Sequence, residues 1–264
     1  MRLVCIFGVV LFALATSVAS ADDRQFTYSE EAKTLPKGIW EFEQWATLQT
    51  DKEDGKWTTV LLREEVEYGV TDNLNLAFYY NTKYQANSNV EGFEDEHSFG
   101  FESVSFEAKY KLSDPSADVL GTLLYGEFTS SHDEYELEAK GVLSKEIGGF
   151  TFAYNLTGEW VLESEDDESP EWQWEYEISN SVGASYNLTP SFALGVEAYD
   201  ISRFERSLGG DHTHAYYVGP NVHYSSDNWW ATLTVLRQIS VNGLEFTDDD
   251  NTKYQARLIF GINF

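Results

Sequence analysis

Hydrophobic and polar residues alternate with period two from Gly38 to the last residue of this chain. Successive side chains of a β-strand point to opposite faces, so each alternating run predicts a strand with one apolar and one polar face. The last run is the clearest: Tyr254, Ala256, Leu258, Phe260, Ile262 and Phe264 alternate with Gln255, Arg257, Ile259, Gly261 and Asn263. Near its start, Trp40, Phe42, Ala46 and Leu48 alternate with Glu41, Glu43, Trp45 and Thr47. Twelve such runs are predicted, over about 38–50, 59–70, 74–85, 99–112, 119–130, 134–145, 150–162, 174–188, 192–202, 212–224, 229–239 and 254–264.

Twelve alternating strands suit either a soluble sandwich or a membrane barrel. Their length, roughly 10–14 residues, exceeds that of ordinary soluble strands and suits a tilted bilayer crossing. Aromatics gather near the strand ends, at Trp40, Tyr68, Tyr84, Tyr110, Tyr186, Tyr224, Trp229 and Tyr254, as in interfacial girdles. Connections after even-numbered strands are short and most of those after odd-numbered strands are long and acidic, the asymmetry of an outer-membrane barrel. The expected fold is therefore all-β: a single closed antiparallel up-and-down barrel of about twelve strands, over 38–264.

Residues 1–21 read as a signal peptide, with Arg2, an apolar run and Ala19-Ser20-Ala21 as a small-x-small cleavage site. Residues 22–37 are expected as a periplasmic N-terminal segment, and the sequence leaves open whether they plug the barrel from below. Past the signal no cysteine remains, so an exported chain must be held without disulfides. The formal net charge of −28 argues against nucleic acid, which needs a basic face.

The ending Tyr254-x-Ala-x-Leu258-x-Phe260-x-Ile262-x-Phe264 resembles the C-terminal assembly signal of Gram-negative outer-membrane barrels. The stretch from Glu65 to Leu76 is similar to a hairpin of small-molecule barrel families grouped under phenol-degradation pathways. These resemblances imply an outer-membrane location after export, outer-membrane lipid and the barrel-assembly machinery as partners, the latter through the last strand, and small solutes as cargo.

The outward face must satisfy lipid, so function is sought on the inward one. Alternation assigns inward twelve glutamates: Glu41, Glu43, Glu65, Glu67, Glu107, Glu127, Glu136, Glu138, Glu159, Glu175, Glu177 and Glu197. The inward cations are Arg63, Lys83, Lys109, Lys111, Lys140, Arg237 and Arg257. A hydrated, Glu-rich path would favour cations or neutral polar solutes, whereas interior salt bridges would fill a closed barrel. Inward Trp45, Tyr79, Tyr125 and Trp230 imply a narrow lumen, against a general porin.

The leading expectation is a narrow passive channel. The alternatives are a non-conducting structural or surface-interaction barrel and, behind it, a lipid hydrolase with Ser and His on the lipid face. No catalytic residue, metal ligand or cofactor is assigned. His212-Thr213-His214 lacks a zinc signature, and the runs Asp248–Asp250 and Glu163–Glu171 lack the central glycine of a calcium loop. Glu64 and Asn180 fall outward, which requires either a bulge or a place near the rim.

Overall fold

The computed structural model describes residues 23–52, 56–88, 95–164, 171–205, 208, 212–240 and 251–264. Residues 1–21, expected as a signal peptide, and the greater part of the long acidic connections lie outside these residues.

Twelve strands form one closed barrel: β1 (Trp40–Thr50), β2 (Lys56–Thr71), β3 (Leu74–Ser88), β4 (Glu96–Ser113), β5 (Gly121–Ser130), β6 (Glu134–Ile147), β7 (Phe150–Glu163), β8 (Gln173–Thr189), β9 (Phe192–Glu205), β10 (His212–Ser225), β11 (Trp229–Ile239) and β12 (Tyr254–Asn263). Each strand pairs antiparallel with its sequence neighbours, and β12 closes on β1 from Glu41↔Asn263 to Thr50↔Tyr254. Closure leaves no edge, so the backbone groups of every strand are paired within the barrel. Strands reach 18 residues in β4, longer than alternation alone suggested.

One rim carries the tight connections at 72–73, 148–149 and 190–191, with Gly148 and Gly149 both at positive φ. The long connections lie at the other rim. Burial alternates as the pattern requires. On β3, Asn75, Ala77, Tyr79 and Asn81 are buried, while Leu76, Phe78 and Tyr80 are exposed to the outside. The outward face is thus predominantly apolar, as lipid requires, and the inward face is largely polar and aromatic with a few aliphatic clusters.

Among the described residues the ladders shift register in four places, near Gly69, Asn81, Lys111 and Asn187. Between the pairs Asn81↔Ser103 and Thr82↔Phe101 the ladder shifts, leaving Glu102 as the extra residue of a bulge. Beyond it the parity of β4 reverses, which turns Phe99 and Phe101 outward. Arg237, expected inward, is outward. It lies an odd number of residues from buried Trp230 on β11, so the two cannot share a face. Its guanidinium stacks over outward Tyr254, 5.9 Å from the ring centroid.

Candidate functional site: the barrel lumen

The inward side chains do not face open water in the half of the barrel nearest the tight turns. Residues 23–37 form a loop inside it: Asp23 lies beside His223 near the tight-turn rim, the loop rises into the barrel, and it returns to the same rim at Pro36, ahead of β1. Phe26, Ala32 and Leu35 are completely buried.

Polar side chains of the wall hold this loop by its backbone. Glu197 accepts hydrogen bonds from the backbone N–H groups of Thr27, Tyr28 and Ser29 at 3.0, 2.9 and 2.8 Å. Asn155 accepts from the N–H of Glu30 and donates to its carbonyl, the second at 2.9 Å. Ser144 accepts from the N–H of Ala32 at 2.9 Å, Asn221 donates to the carbonyl of Gln25, and Arg257 donates to that of Thr27 at 3.0 Å. The two arms are tied by the N–H of Gln25 donating to Glu31 at 2.8 Å. A loop without regular structure can be buried only if its peptide groups find such partners.

Space for the loop comes from missing side chains. A Cβ at Gly183 would meet the Phe26 ring at 2.7 Å, and one at Gly69 would meet the Pro36 carbonyl oxygen at 2.2 Å. Around the loop the wall carboxylates are packed tightly. Lys109 lies 3.7, 3.4 and 3.3 Å from carboxylate oxygens of Glu30, Glu67 and Glu107, all buried. Trp45 donates to Glu43 at 2.7 Å and Trp230 to Glu41 at 3.1 Å. Glu65, Glu67 and Glu107 bring carboxylate oxygens within 4.8 Å of one another, a spacing a cation could bridge. The Lys109 ammonium already sits against two of them.

Of the residues assigned inward by alternation, Glu41, Glu43, Glu65, Glu67, Glu107, Lys109, Glu127 and Glu197 are buried in or beside this filled half. Arg63, Glu136, Glu138, Lys140, Glu159, Glu175, Glu177 and Arg257 are half-buried on the same face. Arg63 pairs with Glu127 at 2.6 Å, Lys140 with Glu138 at 2.9 Å and Lys83 with Glu102 at 2.9 Å. Lys111 lies at the tight-turn rim.

Two cavities flank the loop. The one at the tight-turn rim holds about 680 Å³ and is bordered by Asp23, Lys33, Lys111, Asp114 and Glu146. Burial works to raise the Asp23 carboxyl, but the His223 hydrogen bond and the Lys33 charge outweigh it and hold it below the usual aspartate range. Asp114 is held below its usual range by the Ser116 hydroxyl and by the N–H groups of Ser116 and Ala117 in an exposed turn. The second cavity, about 190 Å³, lies on the other side of the loop and is floored by Arg24, Thr27, Tyr28 and Glu30.

The outward polar residues are accounted for by each other rather than by bulges. Gln44 donates to Glu64 at 3.1 Å; Tyr154 donates to Asn180 at 2.8 Å, which donates to Asp200 at 3.2 Å. Ser202 and His214 also hydrogen-bond on the outward face, through Nδ1. Among the described residues the other ring nitrogen of His214 has no hydrogen-bond partner.

Sequence reasoning did not single out Arg24, Glu30, Asn155 or Asn221. For Asn155 a signal was present: an inward Asn on a strand whose apolar neighbours face outward marks a buried hydrogen-bond partner.

A family model described as a family of unknown function, DUF6662, matches residues 18–264. No functionally curated protein matches the chain. Among solved structures it is similar to the COG4313 outer membrane channel from Pseudomonas putida F1, with 14% identity and a TM-score of 0.62 over 88% of this chain and 98% of that one. It is also similar to the NanC porin (12%, 0.54, over 84% and 98%). A third similar structure is the translocator domain of the autotransporter NalP from Neisseria meningitidis (10%, 0.53, over 86% and 89%). At such identities the likeness is one of fold.

Proposed function

Since the chain belongs to the family of unknown function DUF6662, we propose from its own geometry that it is a narrow passive channel for small solutes in a Gram-negative outer membrane, restricted by its own N-terminal loop. An apolar outer surface on a closed barrel supports the location, as does a sequence that begins with the features of a signal peptide. The observation that carries the reading is the pair of cavities on either side of residues 23–37, separated by a loop fixed largely through side-chain hydrogen bonds. A segment held by hydrogen bonds to polar side chains can exchange them for water as it moves, whereas a core of interlocked apolar side chains cannot.

Passage needs no cofactor, bond breaking or energy coupling. The excess of inward carboxylates over cations favours cations over anions in transit. Single-channel recording in planar bilayers tests this: intact protein is expected to give small steps with a cation-favouring reversal potential. Deleting residues 23–37 should enlarge the steps several-fold. Silence from both folded proteins would overturn the channel, and an anion-favouring reversal potential would overturn the lumen preference.

A second reading, a non-conducting structural barrel, is supported by the fully buried Lys109 cluster, which fills the half of the lumen nearest the tight turns. It predicts silence with the loop present and with it removed.

A further inference from the structure

The cavity above the loop is bordered by charges that are not all matched. Arg24 pairs with Glu30 at 2.8 Å, Lys140 with Glu138 at 2.9 Å, Arg63 with Glu127 at 2.6 Å and Arg203 with Glu177 at 2.9 Å. Two lining residues are left over. Arg257 on β12 donates to the Thr47 hydroxyl at 2.9 Å and to the Thr27 carbonyl at 3.0 Å, both neutral, and makes no ion pair among the described residues. Glu159 on β7 makes none either, and its carboxylate lies within 4.8 Å of those of Glu136 and Glu138. In the ring of strands β7 is five steps from β12 one way and seven the other, so the two charges stand on nearly opposite walls.

Each unmatched charge is reinforced by its surroundings. Arg24, Arg63 and Arg257 converge on the Trp45 ring, 4.7, 5.5 and 5.5 Å from its centroid, and Arg257 lies 4.2 Å over Tyr28. Arg24, only 5% exposed, keeps a buried Nε–H without an acceptor. One wall is therefore rich in guanidinium groups and the facing wall in carboxyl groups, with Lys140 and Arg203 already paired there.

We propose that this cavity binds a small zwitterion, its carboxylate on Arg257 and its ammonium on Glu159. The proposal rests on the lumen being a path for small solutes and names their class. A charge facing a narrow, low-dielectric cavity is poorly solvated and gains most from an opposite charge placed against it. A purely anionic solute leaves Glu159 unmatched; a purely cationic one leaves Arg257 unmatched and meets its repulsion. Only a molecule carrying both charges satisfies both walls. The cavity, about 190 Å³, has room for a solute on the scale of a compact amino acid. Trp45, Tyr28 and Tyr199 border the space its carbon chain would cross.

Isothermal titration calorimetry on protein extracted in detergent from expressing membranes tests the assignment, using β-alanine, γ-aminobutyrate, butyrate and butylamine. At least one of the two zwitterions is expected to bind one per barrel, with butyrate and butylamine at least tenfold weaker. Arg257→Gln and Glu159→Gln should each weaken zwitterion binding by roughly thirtyfold or more, as loss of one partner of a desolvated charge pair does. Glu159→Gln should at the same time strengthen butyrate binding, which a merely misfolded barrel would not do. Butyrate or butylamine binding as tightly as the zwitterions overturns the proposal, as does the absence of binding by all four. If a variant does not fold, the four-probe comparison on the native protein decides alone. Parallel bilayer recordings separate the two claims: a conducting barrel that ignores zwitterions loses this site and keeps the channel, whereas a silent barrel that binds them loses the channel and keeps the site.

Discussion

Gly183 and Phe26 show how single residues set the state of the lumen. The glycine leaves the wall flat where the Phe26 ring lies, and the ring in turn is completely buried. Gly183→Val would overfill this contact, a change that costs about 1–3 kcal/mol in packed interiors. The barrel does not depend on Phe26, so the strain should displace the loop instead: bilayer recordings should show larger steps than the native protein, with unchanged β-type circular dichroism. Glu197 works by the opposite logic. Its carboxylate receives three consecutive backbone N–H groups, and each buried donor left without an acceptor costs about 1–3 kcal/mol. Glu197→Ala should therefore expose the loop to protease, read as faster cleavage within residues 23–37 while the barrel stays resistant. Neither role was legible in the sequence, because a glycine or glutamate on an inward face carries no mark of what lies across the lumen from it.

At the scale of elements, strands were legible because lipid on one side and polar lumen on the other impose strict alternation, and alternation is visible residue by residue. Their positions follow the pattern closely; β11 spans Trp229–Ile239, as the sequence predicts. The failures are local. The alternation reading places Arg237 inward together with Trp230, seven residues before it, although an odd spacing puts the two on opposite faces; Arg237 lies outward and stacks on Tyr254. The bulge at Glu102 was invisible because one extra residue changes parity without changing composition. The last strand matters beyond its own length, since β12 pairs with both β11 and β1 and closes the sheet. Outward Tyr254, Leu258 and Phe260 are exposed along it, as is Phe264 just after it; Ile262 shares that face. Removing Phe264 should lower the yield of assembled barrel in outer-membrane fractions several-fold, while the same chain refolded in detergent still reaches a barrel.

For the whole molecule, closure makes the barrel a single cooperative unit, because every strand pairs on both sides. The folded protein should keep its compact form in cold sodium dodecyl sulfate and shift its gel mobility only on boiling. The loop-deleted variant should behave alike, because none of the strand ladders includes residues 23–37. Alternation along the chain was enough for the fold class, a count of about twelve strands and the face of nearly every charged residue. All of these follow from short-range periodicity under a constant demand from lipid and water. Only the tertiary structure decided that residues 23–37 lie in the lumen, that Lys109 gathers glutamates from β2 and β4 and from the loop, and that Arg257 and Glu159 face each other unmatched across a cavity. Those relations join residues far apart in the chain, and they are set by the curvature that brings opposite walls together, a property no local pattern encodes.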